Sequence, residues 1–227
     1  MSEVNIYVVG SHRNKFLELG DSYTKFFIDE QHNGDNIDNR NPYYCETTGL
    51  YYIWKNENSN IKGLAHYRRY FGNPNTRKPL TDVEIKEILD NHDMIVTRGW
   101  DAGGPTLECR FHRGWAEGRL DAEIKYLKFA MKYLHPECYE EFEQFIQTTT
   151  HWQFNMLIAK KDLFDKYCQW LFEILDIVWT KKDELKKRGI GYLSEVILLS
   201  FYIHLNKLNV YNAPLLFVRC YENICSW

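Results

Sequence analysis

The stretch from Ile61 to Phe71, IKGLAHYRRYF, decides how this chain folds. Its first five residues form a short, mainly apolar run, which is typical of a strand inside a sheet. His66, Arg68 and Arg69 follow where that strand would leave the core, and charged groups there are costly to pack. Paired guanidiniums bind phosphate groups well, so the segment predicts an anion site. The alternative is a surface turn whose arginines are solvated or paired with acids on neighbouring helices.

The bulk composition excludes several classes of protein. With 227 residues and a formal net charge of -3, the chain fits one domain and lacks the basic surplus of a protein that binds bulk nucleic acid. Six irregularly spaced cysteines without a CxxC pair predict reduced thiols and no common zinc site. The chain starts without a secretory signal and has no stretch of about 18 uncharged apolar residues, so we expect a cytoplasmic protein.

Strand-like and helix-like segments alternate along the chain. Thr81 and Glu84 form a capping-box pattern, and Asn41 followed by Pro42 predicts a capped helix start. Residues 31–40 and 98–118 read as loops, the second long enough to be a functional lid. The alternation predicts an α/β fold with a central, mostly parallel sheet flanked by helices. The predicted strands are 5–10, 61–65, 93–97, 152–159 and 209–211, and the predicted helices are 41–56, 81–90, 119–135, 136–147, 161–178 and 193–205.

Four segments carry a resemblance to a known family: NPYYCETTGLYYIWKN, KGLAHYRRYF, FNMLIAKKDLFDKYCQWLFEIL and GYLSEVILLSFYIHLN. Together they resemble the domain of unknown function 4422 family, which is found among bacterial capsular and exopolysaccharide biosynthesis glycosyltransferases. The resemblance implies a single GT-A-like (Rossmann-like) domain over residues 1–227. Residues 1–97 would form its nucleotide-sugar-binding half and residues 98–227 its acceptor-side half.

The resemblance also implies where the donor would bind. The end of the first strand, with Val9, Gly10, Ser11, His12 and Arg13, would surround the nucleoside. GT-A enzymes usually place an Asp-x-Asp after a central strand to hold a divalent metal, whereas this chain has the basic segment after the comparable strand. We therefore expect a metal-independent enzyme, with manganese or magnesium as the alternative. The residues expected to bind the donor diphosphate are Arg68, Arg69, Tyr67 and Lys55.

Catalysis needs a group that takes the acceptor proton. The candidates are Asp101, His112, His151 and Glu195, and the resemblance favours Glu195, with Asp101 next. Glu195 lies near the start of an apolar helix, where a carboxylate is equally typical of an acid that interacts with the helix dipole. His66 would donate a hydrogen bond or a proton. The residues expected to support the site are Asn41, Tyr44, Glu46 and Asn155. The residues expected to contact the acceptor are His112 and Trp115.

These patterns favour a glycosyltransferase that moves a sugar from a nucleotide-sugar donor to a glycan or lipid-linked precursor of a bacterial surface polysaccharide. We expect no nucleic-acid partner, and a lipid-linked acceptor would place the protein at the inner face of the membrane as a peripheral protein. The alternative is a non-catalytic carbohydrate- or nucleotide-binding module of a polysaccharide assembly complex. A phosphate-ester hydrolase is disfavoured because no nucleophile motif or metal cluster is evident.

Overall fold

The computed structural model describes residues 3–97, 99–101, 104–152, 154–218 and 224–226; for residues 100, 101 and 224–226 it describes the backbone alone. The strands are β1 (Val4–Gly10), β2 (Tyr23–Phe27), β3 (Ile61–His66), β4 (Arg69–Phe71), β5 (Met94–Thr97), β6 (Trp100–Asp101), β7 (Thr150–His151), β8 (Leu157–Lys160), β9 (Val210–Ala213), β10 (Leu215–Val218) and β11 (Ile224–Ser226). The helices are α1 (Asn41–Tyr44), α2 (Thr47–Asn56), α3 (Asp82–Leu89), α4 (Leu107–Arg113), α5 (Asp121–Leu134), α6 (Tyr139–Phe145), α7 (Lys161–Trp179), α8 (Gly189–Leu193) and α9 (Leu199–Leu205). A π-helical turn, Ser194–Leu198, connects α8 to α9.

The central sheet has the strand order β2-β1-β3-β8-β5-β9. β8 is antiparallel to both of its neighbours, β3 and β5, and the other five strands run in one direction. At the carboxyl end of β3 the chain turns back into β4, which continues through β10 and β11 as an antiparallel extension. The predicted α/β fold with a mostly parallel sheet is confirmed, because parallel strands need the helical crossovers that the alternation indicated.

The core lies on both faces of this sheet because side chains alternate along each strand. Leu64 belongs to the larger cluster, beneath α2 and α4–α9, whereas Ala65 belongs to the smaller cluster beneath α3. Gly63 leaves no room for a side chain between β3 and β8: a Cβ there would lie 2.7 Å from Ile158 Cγ1 and 2.9 Å from the Leu157 carbonyl oxygen. Among the described helices, none is long and apolar enough to cross a membrane.

The structure confirms β1, β3, α3 and α7 close to their predicted bounds, and Thr81 makes the predicted capping box with Glu84. The single helix predicted over 41–56 is wrong, because Cys45 adopts a φ of 51° and divides it into α1 and α2. The cap predicted at Asn41 is also wrong: Asn41 is the first residue of α1, and its side-chain amide donates to the Ile28 carbonyl (3.0 Å).

Three further boundaries differ from the sequence prediction. Residues 98–118 contain β6 and α4 rather than only a loop. The strand predicted from 152 begins only at Leu157, since Phe154 and Asn155 have φ values of 74° and 52°. The helix predicted from 193 begins at Gly189. β2, β4 and β10 were not predicted.

Candidate active site

The basic segment forms a tight β-hairpin at the carboxyl end of β3. His66 pairs with Arg69, so Tyr67 and Arg68 alone make the turn. The Tyr67 amide donates to the Val9 carbonyl (2.9 Å), which fixes the hairpin against the end of β1. Open α/β sheets bind ligands at this edge. The hairpin therefore holds two guanidiniums where a ligand of such a fold would lie.

Neither guanidinium is neutralised by the described residues. Arg68 and Arg69 have no carboxylate of the described chain within 4.0 Å, and their buried Nε atoms have no hydrogen-bond partner there. Arg69 instead lies over the Phe154 ring, 4.3 Å from its centroid, and Arg68 lies 5.6 Å from that of Phe217. Burial and the charge of Arg68 lower the pKa of Arg69. This arrangement differs from a solvated or acid-paired turn and leaves the positive charge available to an anion.

His66 is neutral in the site. Its ring is 2% exposed, and burial lowers its pKa to about 4 against the opposing effect of Glu46. Arg69 donates to its Nδ1 (3.2 Å), which requires the proton of the neutral ring to be on Nε2. At neutral pH the ring can therefore hold Arg69 in place, whereas the transfer of a proton from its charged form is disfavoured.

Two carboxylates face this hairpin, and their environments separate their pKa values. Burial would raise the pKa of Glu46, but His66, the local backbone, Arg188 and Arg69 together hold it below its usual range. Burial and the charge of Glu46 raise the pKa of Glu195 to about 7, although Arg69 and Arg188 oppose this. A carboxyl group with a pKa near neutrality can exchange protons with a substrate at physiological pH.

The backbone explains how the two carboxylates reach the same place. Glu46 occupies the residue before α2, immediately after the left-handed Cys45. Glu195 lies on the π-helical turn, a geometry that is frequent at functional sites. The wide π turn interrupts the continuous helix that the sequence predicted and changes the direction of the side chains that follow.

Asn155 ties these two segments together beneath the site. Its side chain is buried, donates to Thr47 Oγ1 (3.2 Å) and accepts from Ser194 Oγ (3.1 Å). Thr47 follows Glu46 and Ser194 precedes Glu195, so one amide connects the residues next to both carboxylates. Its neighbour Phe154 contributes the ring beneath Arg69 and a backbone group that favours the ionised form of Glu195. The predicted supporting position of Asn155 thus lies directly under the site.

Arg188 is a third guanidinium that the sequence analysis missed. It has a left-handed backbone (φ 64°), and its amide donates to the Pro42 carbonyl (2.8 Å). Its positive charge lowers the pKa of Glu46 and of Glu195. Its Nη1 lies 3.6 Å from Glu117 Oε1. No sequence signal indicated it, because it stands at the end of a lysine-rich loop that reads as solvated surface.

The proposed nucleoside loop lies beside the hairpin. Gly10 leaves no room for a side chain, since a Cβ would lie 2.9 Å from Tyr67 Cβ. The Ser11 carbonyl oxygen accepts a hydrogen bond from the Asn14 amide, and the Ser11 hydroxyl donates one to Asn14 Oδ1. These two bonds close a turn. His12 stacks on Phe27 (4.2 Å) and its ring nitrogens lie near Asp29 and Glu30. The residues predicted to bind the nucleoside, Val9–Arg13, form one short segment that runs from buried Val9 to exposed Arg13.

Of the two predicted acceptor residues, only Trp115 lies next to the site. Its ring stacks on Tyr192 (4.7 Å), and Arg188 lies 5.3 Å from the same Tyr192 ring. His112 instead lies on the exposed end of α4, where its Nδ1 is 2.6 Å from Asp121 Oδ1. His151, another candidate base, is buried on β7, where burial and Arg110 lower its pKa to about 4.

Three other predicted residues are placed elsewhere. Lys55 lies near the far end of α2, roughly 13 Å along the helix from Glu46, with its Nζ 3.5 Å from the centroid of the Trp54 ring. Tyr44 is a core residue whose hydroxyl donates to the Leu175 carbonyl (3.4 Å). Asn41 binds the Ile28 carbonyl, as described above. The side chain of Asp101 lies outside the described part of the structure.

The donor set at the hairpin does not match a divalent-metal site. The described residues contain no group of three or more His, Cys, Asp or Glu side chains that could hold a metal ion. The hairpin at the carboxyl end of β3 carries two guanidiniums, which would repel a cation, and the facing carboxylates Glu46 and Glu195 already interact with Arg69. Independence from metal stays a prediction, because the Asp101 side chain is not described.

Comparisons with known proteins agree with the fold. No curated protein matches the sequence significantly. The apo structure of WbbM, a bifunctional glycosyltransferase, has the same fold with a TM-score of 0.78 and 24% identity, over 98% of this chain. The match covers 46% of the WbbM chain, so this chain spans about half the length of that protein. A family profile described as a domain of unknown function (DUF4422) matches residues 5–207. This chain therefore belongs to the DUF4422 family, as its sequence motifs predicted.

Proposed function

We propose that this protein is a glycosyltransferase that moves a sugar from a nucleoside diphosphate sugar to a glycan or lipid-linked acceptor in bacterial surface-polysaccharide synthesis. One observation carries the proposal: two guanidiniums that have no carboxylate partner among the described residues face a glutamate of pKa about 7 at the ligand-binding edge of the sheet. The fold shared with WbbM supports this choice among anion-binding functions.

The hairpin would bind the donor diphosphate. Arg68 and Arg69 supply two planar donors for phosphate oxygens, and the adjoining Val9–Arg13 segment would contact the nucleoside. Both guanidiniums would stabilise the negative charge that grows on the diphosphate as the sugar departs. Because fixed cations provide this charge, we propose that transfer does not need a divalent metal.

Glu195 would act as the base. The acceptor hydroxyl oxygen bonds to C1 of the donor sugar while its proton passes to the Glu195 carboxylate. The bond between C1 and the diphosphate oxygen breaks, and its electron pair leaves with the diphosphate held by Arg68 and Arg69. Glu46 remains ionised and orients Arg69 and Arg188, and neutral His66 positions Arg69.

Both proposed halves of the chain contribute to this site. Residues 1–97 supply the hairpin and Glu46, while residues 98–227 supply Glu195, Arg188 and the Trp115–Tyr192 stack. Arg188 lies 5.3 Å from the Tyr192 ring of this stack. We propose that a sugar ring of the acceptor packs there, because aromatic faces suit sugar rings.

The experiment that tests the proposal compares nucleotide binding and sugar transfer in matched arginine variants. We expect a nucleoside diphosphate to raise the melting temperature of the wild type, with manganese or with a chelator. Arg68→Gln and Arg69→Gln should each weaken its binding at least tenfold, which corresponds to the loss of one charged hydrogen bond of about 1.5–3 kcal/mol. Arg77→Gln, on an exposed loop of the smaller core face, is the control and should bind normally.

Transfer is then measured with a panel of nucleotide sugars. Glu195→Gln should retain nucleotide affinity and lose turnover by about 10²–10⁴-fold. Binding without any sugar transfer or donor hydrolysis across the panel would favour the non-catalytic binding module. Absence of binding to every nucleotide would refute the diphosphate site, and binding that requires manganese would refute the metal-independent clamp.

A further inference from the structure

Helix α5 carries an exposed aromatic pair on its outer face. Among the described residues, the large hydrophobic side chains that are exposed are Val83 (58%), Phe129 (58%) and Tyr133 (67%). Phe129 and Tyr133 are one turn apart, and their rings stack with 6.1 Å between centroids and 8° between planes. Single exposed apolar residues are ordinary, but a stacked pair on one helix face marks a contact surface.

Lysines lie beside this pair on α5 and in the loop that packs against the helix. Lys125 and Lys132 lie on the same exposed stripe of α5. The loop 181–187, KKDELKK, lies against the first half of the helix: Tyr126 donates to Glu184 (2.5 Å), and the Lys186 amide donates to Glu123 (2.6 Å). We call this surface the α5 face; it comprises Phe129, Tyr133 and the six exposed lysines Lys125, Lys132, Lys181, Lys182, Lys186 and Lys187.

The charge of the α5 face is opposite in sign to that of the whole chain. None of its six lysines lies within 4.0 Å of a carboxylate of the described residues. The loop contributes only Asp183 and Glu184 as acids, and Asp121 at the start of α5 is held by Arg119 and His112. The acids Glu137, Glu140 and Glu141 line a groove beyond the end of the helix, of which Glu137 is nearest to Tyr133 in the sequence. A chain with net charge -3 therefore carries an excess of basic groups on the helix that bears its exposed aromatic pair and on the adjoining loop.

We infer that the α5 face docks on an anionic lipid bilayer, with Phe129 and Tyr133 among the headgroups and the lysines against anionic lipids. Aromatic rings with flanking lysines are the side chains that favour this interface. A second copy of the chain is a poorer occupant, since two-fold contact would bring six lysines against six lysines.

The position of the α5 face connects it to the candidate active site. The lysine loop continues directly into Arg188, whose charge acts on Glu46 and Glu195. Docking would thus hold the site close to the membrane surface, where a lipid-linked acceptor resides. The purpose of docking rests on the proposed function, because it assumes a lipid-linked acceptor. The docking itself is inferred only from the side chains of the α5 face.

The test measures co-sedimentation of the full chain with phosphatidylcholine vesicles, with and without about one third phosphatidylglycerol. We expect binding only to the anionic vesicles, with a strong decrease between about 0.1 M and about 0.5 M salt. The double variant Phe129→Ser/Tyr133→Ser should bind the anionic vesicles at least tenfold more weakly, because it buries less apolar surface in the bilayer. Lys125→Gln/Lys132→Gln should lower it by about tenfold or more through lost charge.

The control is the variant Val83→Ser/Lys78→Gln, which removes the third exposed large apolar side chain of the described residues and a lysine near α3, on the other face of the sheet. It should bind vesicles like the wild type. Equal binding to neutral and anionic vesicles, or unchanged binding of both α5 variants, would overturn the inference. So would a wild-type dimer, seen by sedimentation velocity, that the aromatic variant dissociates. Nucleotide binding by all variants, measured in parallel, shows separately whether the proposed function holds.

Discussion

Glu195 should make the protein less stable at neutral and alkaline pH, and its replacement by glutamine should stabilise the fold. Burial and Glu46 raise its pKa from the ordinary 4.5 to about 7. At about 1.4 kcal/mol per pH unit, the ionised side chain is about 3 kcal/mol less favourable in the folded protein than in the unfolded chain. Glu195 is only partly buried, so solvent screening reduces the expected effect to about 2 kcal/mol.

The sign of the pH dependence follows from proton counting. Between pH 4.5 and about 7 the folded protein holds a proton on Glu195 that the unfolded chain has lost, so this group lowers the free energy of unfolding as pH rises. His66 acts in the opposite direction, because burial lowers its pKa from 6.5 to about 4. In the wild type the two effects nearly cancel. The difference between Glu195→Gln and wild type isolates Glu195, since both proteins contain His66.

Urea unfolding followed by tryptophan fluorescence measures this difference. We expect Glu195→Gln and wild type to be nearly equal in stability at about pH 4, and the variant to be about 2 kcal/mol more stable at about pH 8. Glu140→Gln, which changes an exposed carboxylate on α6, should show no such divergence. A constant difference at both pH values would refute the reasoning, because it would show that Glu195 does not titrate in the folded protein.

Three further outcomes are expected. If Glu195 is the base, kcat/KM for transfer should rise about tenfold per pH unit up to about pH 7 and then level off; a flat profile would contradict this role. Asn155→Ala should cost about 1–3 kcal/mol by leaving Thr47 and Ser194 without their partner. Asn155→Gly should be the more stable of the two variants in urea, because glycine adopts the left-handed backbone of residue 155 more easily than alanine. The reverse order would show that this backbone conformation does not strain alanine. Gly63→Ala should cost about 1–3 kcal/mol, because its methyl group would overlap Ile158 and the Leu157 carbonyl; an unchanged urea midpoint would show that the strands can separate.

The sequence predicts those parts of the fold that local patterns determine. β3 is recognisable because a short apolar run precedes a basic segment, and the structure places that segment at the ligand-binding edge of the sheet. The capping box of α3 is likewise a local interaction between Thr81 and Glu84. Glu195 could be singled out because a carboxylate within an apolar helix needs a reason to be there.

Features that depend on the tertiary structure could not be predicted in this way. Lys55 follows the predicted helical period, but the length of α2 separates it from the hairpin. Cys45 divides the predicted helix because its left-handed backbone is stabilised by surrounding structure, and nothing in its sequence context requires a break. Arg188 joins the site only through the way its loop packs on α1 and α5.

The distribution of strain argues independently that this place is functional. Among the described residues, six other than glycine have a positive φ, and four of them surround the candidate site: Cys45, Phe154, Asn155 and Arg188. The π-helical turn that carries Glu195 is there too. In the described part of the chain, eight buried side-chain atoms have no hydrogen-bond partner, and three of them belong to the hairpin, on His66, Arg68 and Arg69. Strained backbone and unpaired polar atoms each destabilise a fold, and their concentration in one place is typical of functional sites. A solvated basic turn would need none of these features, whereas a preorganised anion site explains why they occur together at the same edge of the sheet.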